Sequence, residues 1–256
     1  MVRILLSIAG FDPSGGAGAL MDIAVFEAAG FRGMAVLTAL TVQNTREVRR
    51  IVPLPPGTVM DQYRALSEDV SFRGVKIGML GSGKNLGAIG RILAGLKGIP
   101  VVVDPVFRSS SGADLLPAAS VGSFLKTVRG RASLLTPNLD EASLLSSLPV
   151  RTPEEMLRAA RVIFDRARIP CLVKGGHLPK TVINVLYDGR RTVVYRSPKV
   201  PKDAHGTGCF LSSSILASLA GGSSLINACS DATDLTQEAI RRAVRQGYGR
   251  YLLKPE

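Results

Sequence analysis

The 256-residue sequence has no tryptophan, only two histidines and three cysteines, and aromatic residues make up 5% of it. Cys171, Cys209 and Cys229 are odd in number, far apart and without metal-ligand spacing, which argues against a disulfide framework and a zinc site. Long apolar runs are lacking: Gly, Pro or charge interrupts each one well short of the length that crosses a bilayer. The opening MVRILLSIAGFDPSGG carries one Arg and a short apolar run leading straight into glycines, with no small-residue cleavage site of the kind a secretory leader needs. A cytoplasmic protein is expected. Linkers, repeats and low-complexity tracts are also missing, so residues 1–256 read as a single domain.

What is present is an ordinary globular composition, 46% hydrophobic and 20% charged, with a net charge of +12. That charge is open to two readings, a nucleic-acid surface or a solvated basic surface that attracts anionic substrates. The basic residues are scattered (EVRR, TVRGRA, RRAVRQGYGR) and lack the interleaved aromatics of a single-strand groove, which favours the second.

Buried-looking strands alternate with helices along the chain. VRILLSIAG, GMAVLTALTV, GVKIGML, IPVVVDP, ASLLTPNL and IPCLVKGG read as strands. TPEEMLRAARVIFDRAR opens with a capping box (Thr152, Glu155) and Pro153 at the first helical position. TVINVLYDGRRTVVYRSP is a hairpin around Asp-Gly. Strands that are apolar throughout and separated by helices predict a mostly parallel sheet covered on both faces. Polar clusters follow the carboxyl ends of the strands, the edge at which such sheets bind ligands.

The glycine-rich stretches suit close approach of a ligand to backbone. DPSGGAG follows the first strand but is not G-x-G-x-x-G, and GSGKN lacks Walker spacing, so a dinucleotide site is disfavoured. DAHGTGCF places Gly206, Thr207, Gly208 and Cys209 at a helix start, where backbone N–H groups and the helix field favour an anion and a thiolate. The alternative is a turn with a buried thiol. Gln43 ends a strand with an amide that can both donate and accept, as the edge of a nitrogen heterocycle requires; the alternative is a solvated loop side chain. Asp22, one turn into the first helix, faces either that ligand or solvent. Asp104, at the end of a buried strand, and Glu141 could hold Mg²⁺ through waters, while Asn138 or Asp140 could equally be a helix cap. Lys174 opens into glycines where its ammonium could reach a phosphate, and His177 reads as a loop residue.

Taken together, IAGFDPSGGAG, TALTVQNT, KIGML, VVVDPV, LLTPNLDEA, VKGGH and HGTGC, in this order from about Ile4 to Leu219, resemble the hydroxymethylpyrimidine/phosphomethylpyrimidine kinases of thiamin biosynthesis, within the ribokinase-like family. The resemblance implies a three-layer α/β/α sandwich with a mostly parallel central sheet, and a homodimer. It implies ATP-dependent phosphorylation of 4-amino-5-hydroxymethyl-2-methylpyrimidine and then of its monophosphate. Gly10, Gly16, Ala17, Asp22, Gln43, Met79 and Val106 would hold the pyrimidine. Asp104, Asn138 and Lys174 would serve the ATP phosphates, with Asp104 and Glu141 on Mg²⁺ through water. Gly206, Thr207 and Gly208 would form the anion hole, and Cys209 would be the base. No nucleic acid or membrane partner is implied.

The sequence departs from the family pattern in two places. Thr233 stands where relatives commonly carry Lys, and QGYGRYLLKPE replaces the usual Gly-rich, His-bearing C-terminal segment. Three rivals remain: a pyridoxal kinase on the same fold, disfavoured by Gln43; a non-catalytic relative that only binds the vitamin precursor; and a nucleic-acid binder.

Overall fold

A computed structural model describes residues 2–108, 112, 115–176 and 181–255. Its centre is a nine-stranded sheet in the order β3-β2-β1-β4-β5-β6-β7-β8-β9. The strands are β1 (Ile4–Phe11), β2 (Arg32–Gln43), β3 (Val48–Pro53), β4 (Phe72–Ile77), β5 (Val101–Val103), β6 (Leu134–Leu135), β7 (Cys171–Lys174), β8 (Thr181–Tyr187) and β9 (Thr192–Pro198). Strands β2, β1, β4, β5, β6 and β7 pair in parallel, while β3, β8 and β9 are added antiparallel at the two edges.

Alternation along β1 shows why the sheet is covered twice, because successive side chains point to opposite faces. Leu5 joins one core with Phe26 of α1 (Gly18–Ala28), Ile215 of α7 (Thr207–Ala220) and Ala232 of α8 (Leu225–Arg242). Leu6 and Ile8 join the other, with residues of α2 (Pro56–Asp69), α3 (Leu86–Gly95), α4 (Val121–Val128), α5 (Leu139–Ser146) and α6 (Pro153–Ala167). This is the three-layer α/β/α sandwich that the apolar strands predict. The capping box at Thr152 and Glu155 and the hairpin turn at Asp188 and Gly189 form as read.

Several local expectations need correction. Strand β3 escapes the sequence pattern because its arginines mask a short amphipathic strand beside β2. ASLLTPNL contributes only Leu134 and Leu135 to the sheet, and His177 lies outside the described residues. A second, three-stranded sheet was not expected at all: β10 (Ala204–His205) lies between the hairpin and α7, and pairs with β12 (Tyr251–Leu252), which pairs with β11 (Val244–Arg245). No helix among the described residues is long and apolar enough to cross a membrane.

Strand order runs outward from β1 in both directions. That reversal opens a crevice beyond the carboxyl ends of the strands.

Candidate active site

A cleft of about 1600 Å³ occupies this crevice. It is lined by Gly10, Ala17, Gln43, Met79 and Val106 and by Asp104, Asn138, Glu141 and Lys174. Gly206, Thr207, Gly208 and Cys209 line it as well, so the structure brings together all but two of the residues to which the resemblance gives a site role. The exceptions are Gly16 and Asp22, which sit behind the wall.

Gly16 is needed for fit. A Cβ there would lie 2.4 Å from the His205 ring. Two left-handed glycines close the same wall. Gly206 (φ +78°) could carry a Cβ only 1.8 Å from the Gly16 carbonyl oxygen, and Gly18 (φ +60°) only 2.2 Å from that of Gly10. The anion turn ahead of α7 is therefore locked onto the glycine-rich turn after β1. Asp12 shapes that second turn, accepting from the Ser14 backbone N–H at 2.9 Å and from its hydroxyl at 2.7 Å.

Asp22 does not face the ligand. Its carboxylate is fully buried and accepts from Ser7 Oγ (2.6 Å), Ser213 Oγ (2.9 Å) and Lys76 Nζ (2.5 Å). Lys76, also fully buried in β4, is one of the residues lining the cleft. Its charge escaped sequence reading because KIGML looked like an apolar strand ending. Burial works against that charge, but Asp22, then Cys209 and Asp104, outweigh it and hold the ammonium above its ordinary pKa. Asp22 thus acts on the site through Lys76, since a lone buried carboxylate would be untenable and a paired one is not.

Lys174 and Asp104 make the second ion pair, Nζ to Oδ1 at 2.6 Å, with Thr136 Oγ1 donating to the same oxygen at 3.0 Å. Burial opposes the charge on Lys174, and Asp104 and Glu141 together raise its pKa above the ordinary value. Asn138 and Glu141 satisfy both readings of PNLDE at once. They form a reciprocal capping box (Asn138 N to Glu141 Oε2 2.8 Å, Glu141 N to Asn138 Oδ1 2.9 Å), and both line the cleft. Burial pushes the Glu141 carboxyl up to about 8, with Lys174 opposing and Asp104 adding to the rise.

Cys209 departs from expectation in its ionisation. Burial raises the thiol above its ordinary value; Lys76 and the Gly18 backbone lower it, while Asp22 and Asp104 add to the rise. The helix start alone does not make it a thiolate here. Thr233 is buried on α8, accepting from Asn184 Nδ2 at 3.1 Å and donating to the Cys229 carbonyl at 2.7 Å, so its hydroxyl is satisfied within the fold. His205, the first residue of HGTGC, is a further polar group of the site. It lies 2.9 Å from Asp12 Oδ2 and 2.9 Å from Gln43 Nε2.

The model of one family, described as phosphomethylpyrimidine kinase, matches residues 12–254. The chain belongs to the phosphomethylpyrimidine kinase family. Among its relatives, a hydroxymethylpyrimidine/phosphomethylpyrimidine kinase of Aquifex aeolicus is 41% identical over 252 residues, covering 96% of this chain and 97% of the relative. The family fold recurs in the solved phosphomethylpyrimidine kinase of Clostridium difficile, with a TM-score of 0.79 and 33% identity, covering 94% of this chain and 98% of that one. The pyridoxal kinase of Staphylococcus aureus, in complex with AMP-PCP and pyridoxal, superposes with a TM-score of 0.90 at 27% identity, covering 100% of this chain and 94% of the other. The ribokinase-like architecture expected from the sequence is thereby established.

Proposed function

We propose that this protein phosphorylates the hydroxymethyl group of 4-amino-5-hydroxymethyl-2-methylpyrimidine and then the resulting monophosphate, with ATP as donor, in thiamin biosynthesis. The observation that carries the proposal is the Lys174–Asp104 pair beside the Gly206–Cys209 turn, in a chain that belongs to this kinase family. In the first step the alcohol oxygen bonds to the γ-phosphorus as the bond to the β-phosphate oxygen breaks, ADP leaves with that electron pair, and the alcohol proton must find a base. Cys209 is assigned as that base, with Lys76 lowering its pKa against the larger rise that burial imposes. Backbone N–H groups of the Gly206–Gly208 turn stabilise charge on the transferring phosphate, and Lys174 neutralises it. In the second step the nucleophile is an ionised phosphate oxygen, so Cys209 matters less.

Asp104 and Glu141 are hard oxygen donors lining the cleft, and no group of three ligating side chains exists among the described residues. That donor set fits Mg²⁺ held by phosphates and water rather than by a protein cage. When bound, the ion would neutralise phosphate charge. On this reading residues 1–256 act as one cytoplasmic catalytic domain, assembled as a homodimer.

The test is an ATP- and Mg²⁺-dependent assay of both pyrimidines with the wild type and Cys209→Ala. Loss of about 10²–10⁴ in the first step, with the second largely retained, is expected. Equal loss of both would make Cys209 a shaper of the anion hole, and turnover of neither by the wild type would remove the substrate assignment. The likeness to pyridoxal kinases gives a second reading, and competition between pyridoxal and the pyrimidine decides it.

A further inference from the structure

Gln43 ends β2 with both terminal atoms of its side chain in contact with protein. Nε2 lies 2.9 Å from His205 Nε2, and Oε1 lies 3.3 Å from Thr41 Oγ1. These contacts fix the plane of the amide. Which end is oxygen is decided by the protons around it.

Thr41 has one hydroxyl proton, and it is donated to the Phe11 carbonyl at 2.9 Å. Toward Gln43 it offers lone pairs only, so the amide end beside it must be the NH₂. His205 Nε2 also lies 2.9 Å from Asp12 Oδ2. Asp12 accepts two hydrogen bonds from Ser14 at its other oxygen, as an ionised carboxylate does. A ring lone pair facing that carboxylate would be repelled, so Nε2 carries a proton. That single N–H is shared between Asp12 Oδ2 and Gln43, and because an N–H cannot accept from an amide N–H, the end of Gln43 beside His205 must be the oxygen. Two independent neighbours demand the same orientation, turned from the one in which the two nitrogens face each other.

We infer that His205, held by Asp12, and Thr41 are positioning residues that set the direction of the Gln43 amide and so decide which way round an aminopyrimidine sits. The inference rests on Gln43 contacting the pyrimidine. An amide with one N–H on Thr41 and one lone pair on His205 keeps one N–H and one lone pair for a ligand. That pair matches the ring nitrogen and exocyclic amine of a 4-aminopyrimidine in one sense only. The hydroxymethyl carbon is attached next to the amine-bearing carbon. Reversing the amide would require the ring to turn over, which carries the hydroxymethyl to the opposite side. His205 directly precedes Gly206, so the residue that sets ring direction is bonded to the turn assigned to the phosphate.

The test compares the 4-amino substrate with its 4-oxo analogue, whose ring edge exchanges donor and acceptor. The wild type should prefer the amine by about 10²-fold or more in kcat/KM. His205→Phe and Thr41→Val should each cut that preference about tenfold and raise KM for the pyrimidine, leaving KM for ATP within about twofold. His205→Gln, which restores an N–H donor, should regain part of the preference. If both variants keep the full wild-type preference, the inference is overturned. Thr41→Val is nearly isosteric and carries the test alone should His205→Phe fail to fold. Turnover of neither pyrimidine by the wild type, or an unchanged KM in Gln43→Leu, would instead overturn the substrate reading beneath it.

Discussion

At the scale of the residue, Asp22 shows how a charge behind the cleft wall reaches the site through a partner that lines it, Lys76. Both side chains are completely buried, and among the described residues each is the other's only opposite charge in hydrogen-bond contact. Lys76→Met should leave an uncompensated buried carboxylate and lower stability by about 3–5 kcal/mol, measured by denaturant unfolding. Adding Asp22→Leu should recover most of that stability while activity stays low, because the field at Cys209 is still lost. Recovery of activity along with stability would refute a role for the pair in catalysis. Sequence reading found Asp22 yet misplaced it, since helical position gives the direction of a side chain but not its partner on another strand. Gln43, Asp104 and Lys174 were legible because each stands at a strand's carboxyl end, where topology alone brings side chains to the cleft. His205 was overlooked because its meaning depends on Asp12, which lies 193 positions away.

At the scale of the element, the catalytic turn and the glycine-rich turn are one construction. Gly206→Ala would drive a methyl group into the Gly16 carbonyl and should cost about 10²-fold or more in kcat as the N–H groups swing off target. Gly15→Ala is the matched control: φ is +71° but nothing lies within 4 Å of the added carbon, so only backbone strain of about 1–2 kcal/mol is expected. Equal losses of activity in the two variants would show that strain, not contact, sets the effect. The main-sheet strands and the helices were legible from apolar runs and caps. Strand β3 and the three short strands of the second sheet were not, because two-residue pairings and arginine-rich segments carry no periodicity to read.

At the scale of the whole molecule, two electrostatic predictions follow from charge and its placement. With a net charge of +12, KM for ATP should rise with ionic strength, and a flat response between low and physiological salt would show that the surface charge does not attract substrate. The second concerns Asp12. Burial raises its carboxyl pKa, but the His205 and Ser14 hydrogen bonds more than offset this and hold the carboxyl below its ordinary value. A lowered folded-state pKa means that its stabilisation is complete above the unfolded value near about 4 and fades as pH falls through the folded value. The difference in Tm between wild type and Asp12→Asn should therefore be constant from about pH 5 to 7 and shrink below about pH 4. A difference that grows on acidification would assign the stabilisation elsewhere.

The contacts between Asp12 and His205 and between Asp22 and Ser213 span 193 and 191 positions of the chain. Each closes a loop covering most of the sequence, and such closures are the slow, entropically costly part of assembling a fold. The parallel strands β1, β4 and β5 can pair before either loop shuts. During refolding from denaturant, the helix signal should return ahead of enzymatic activity, with the interval between them timing the arrival of α7 against the first strand.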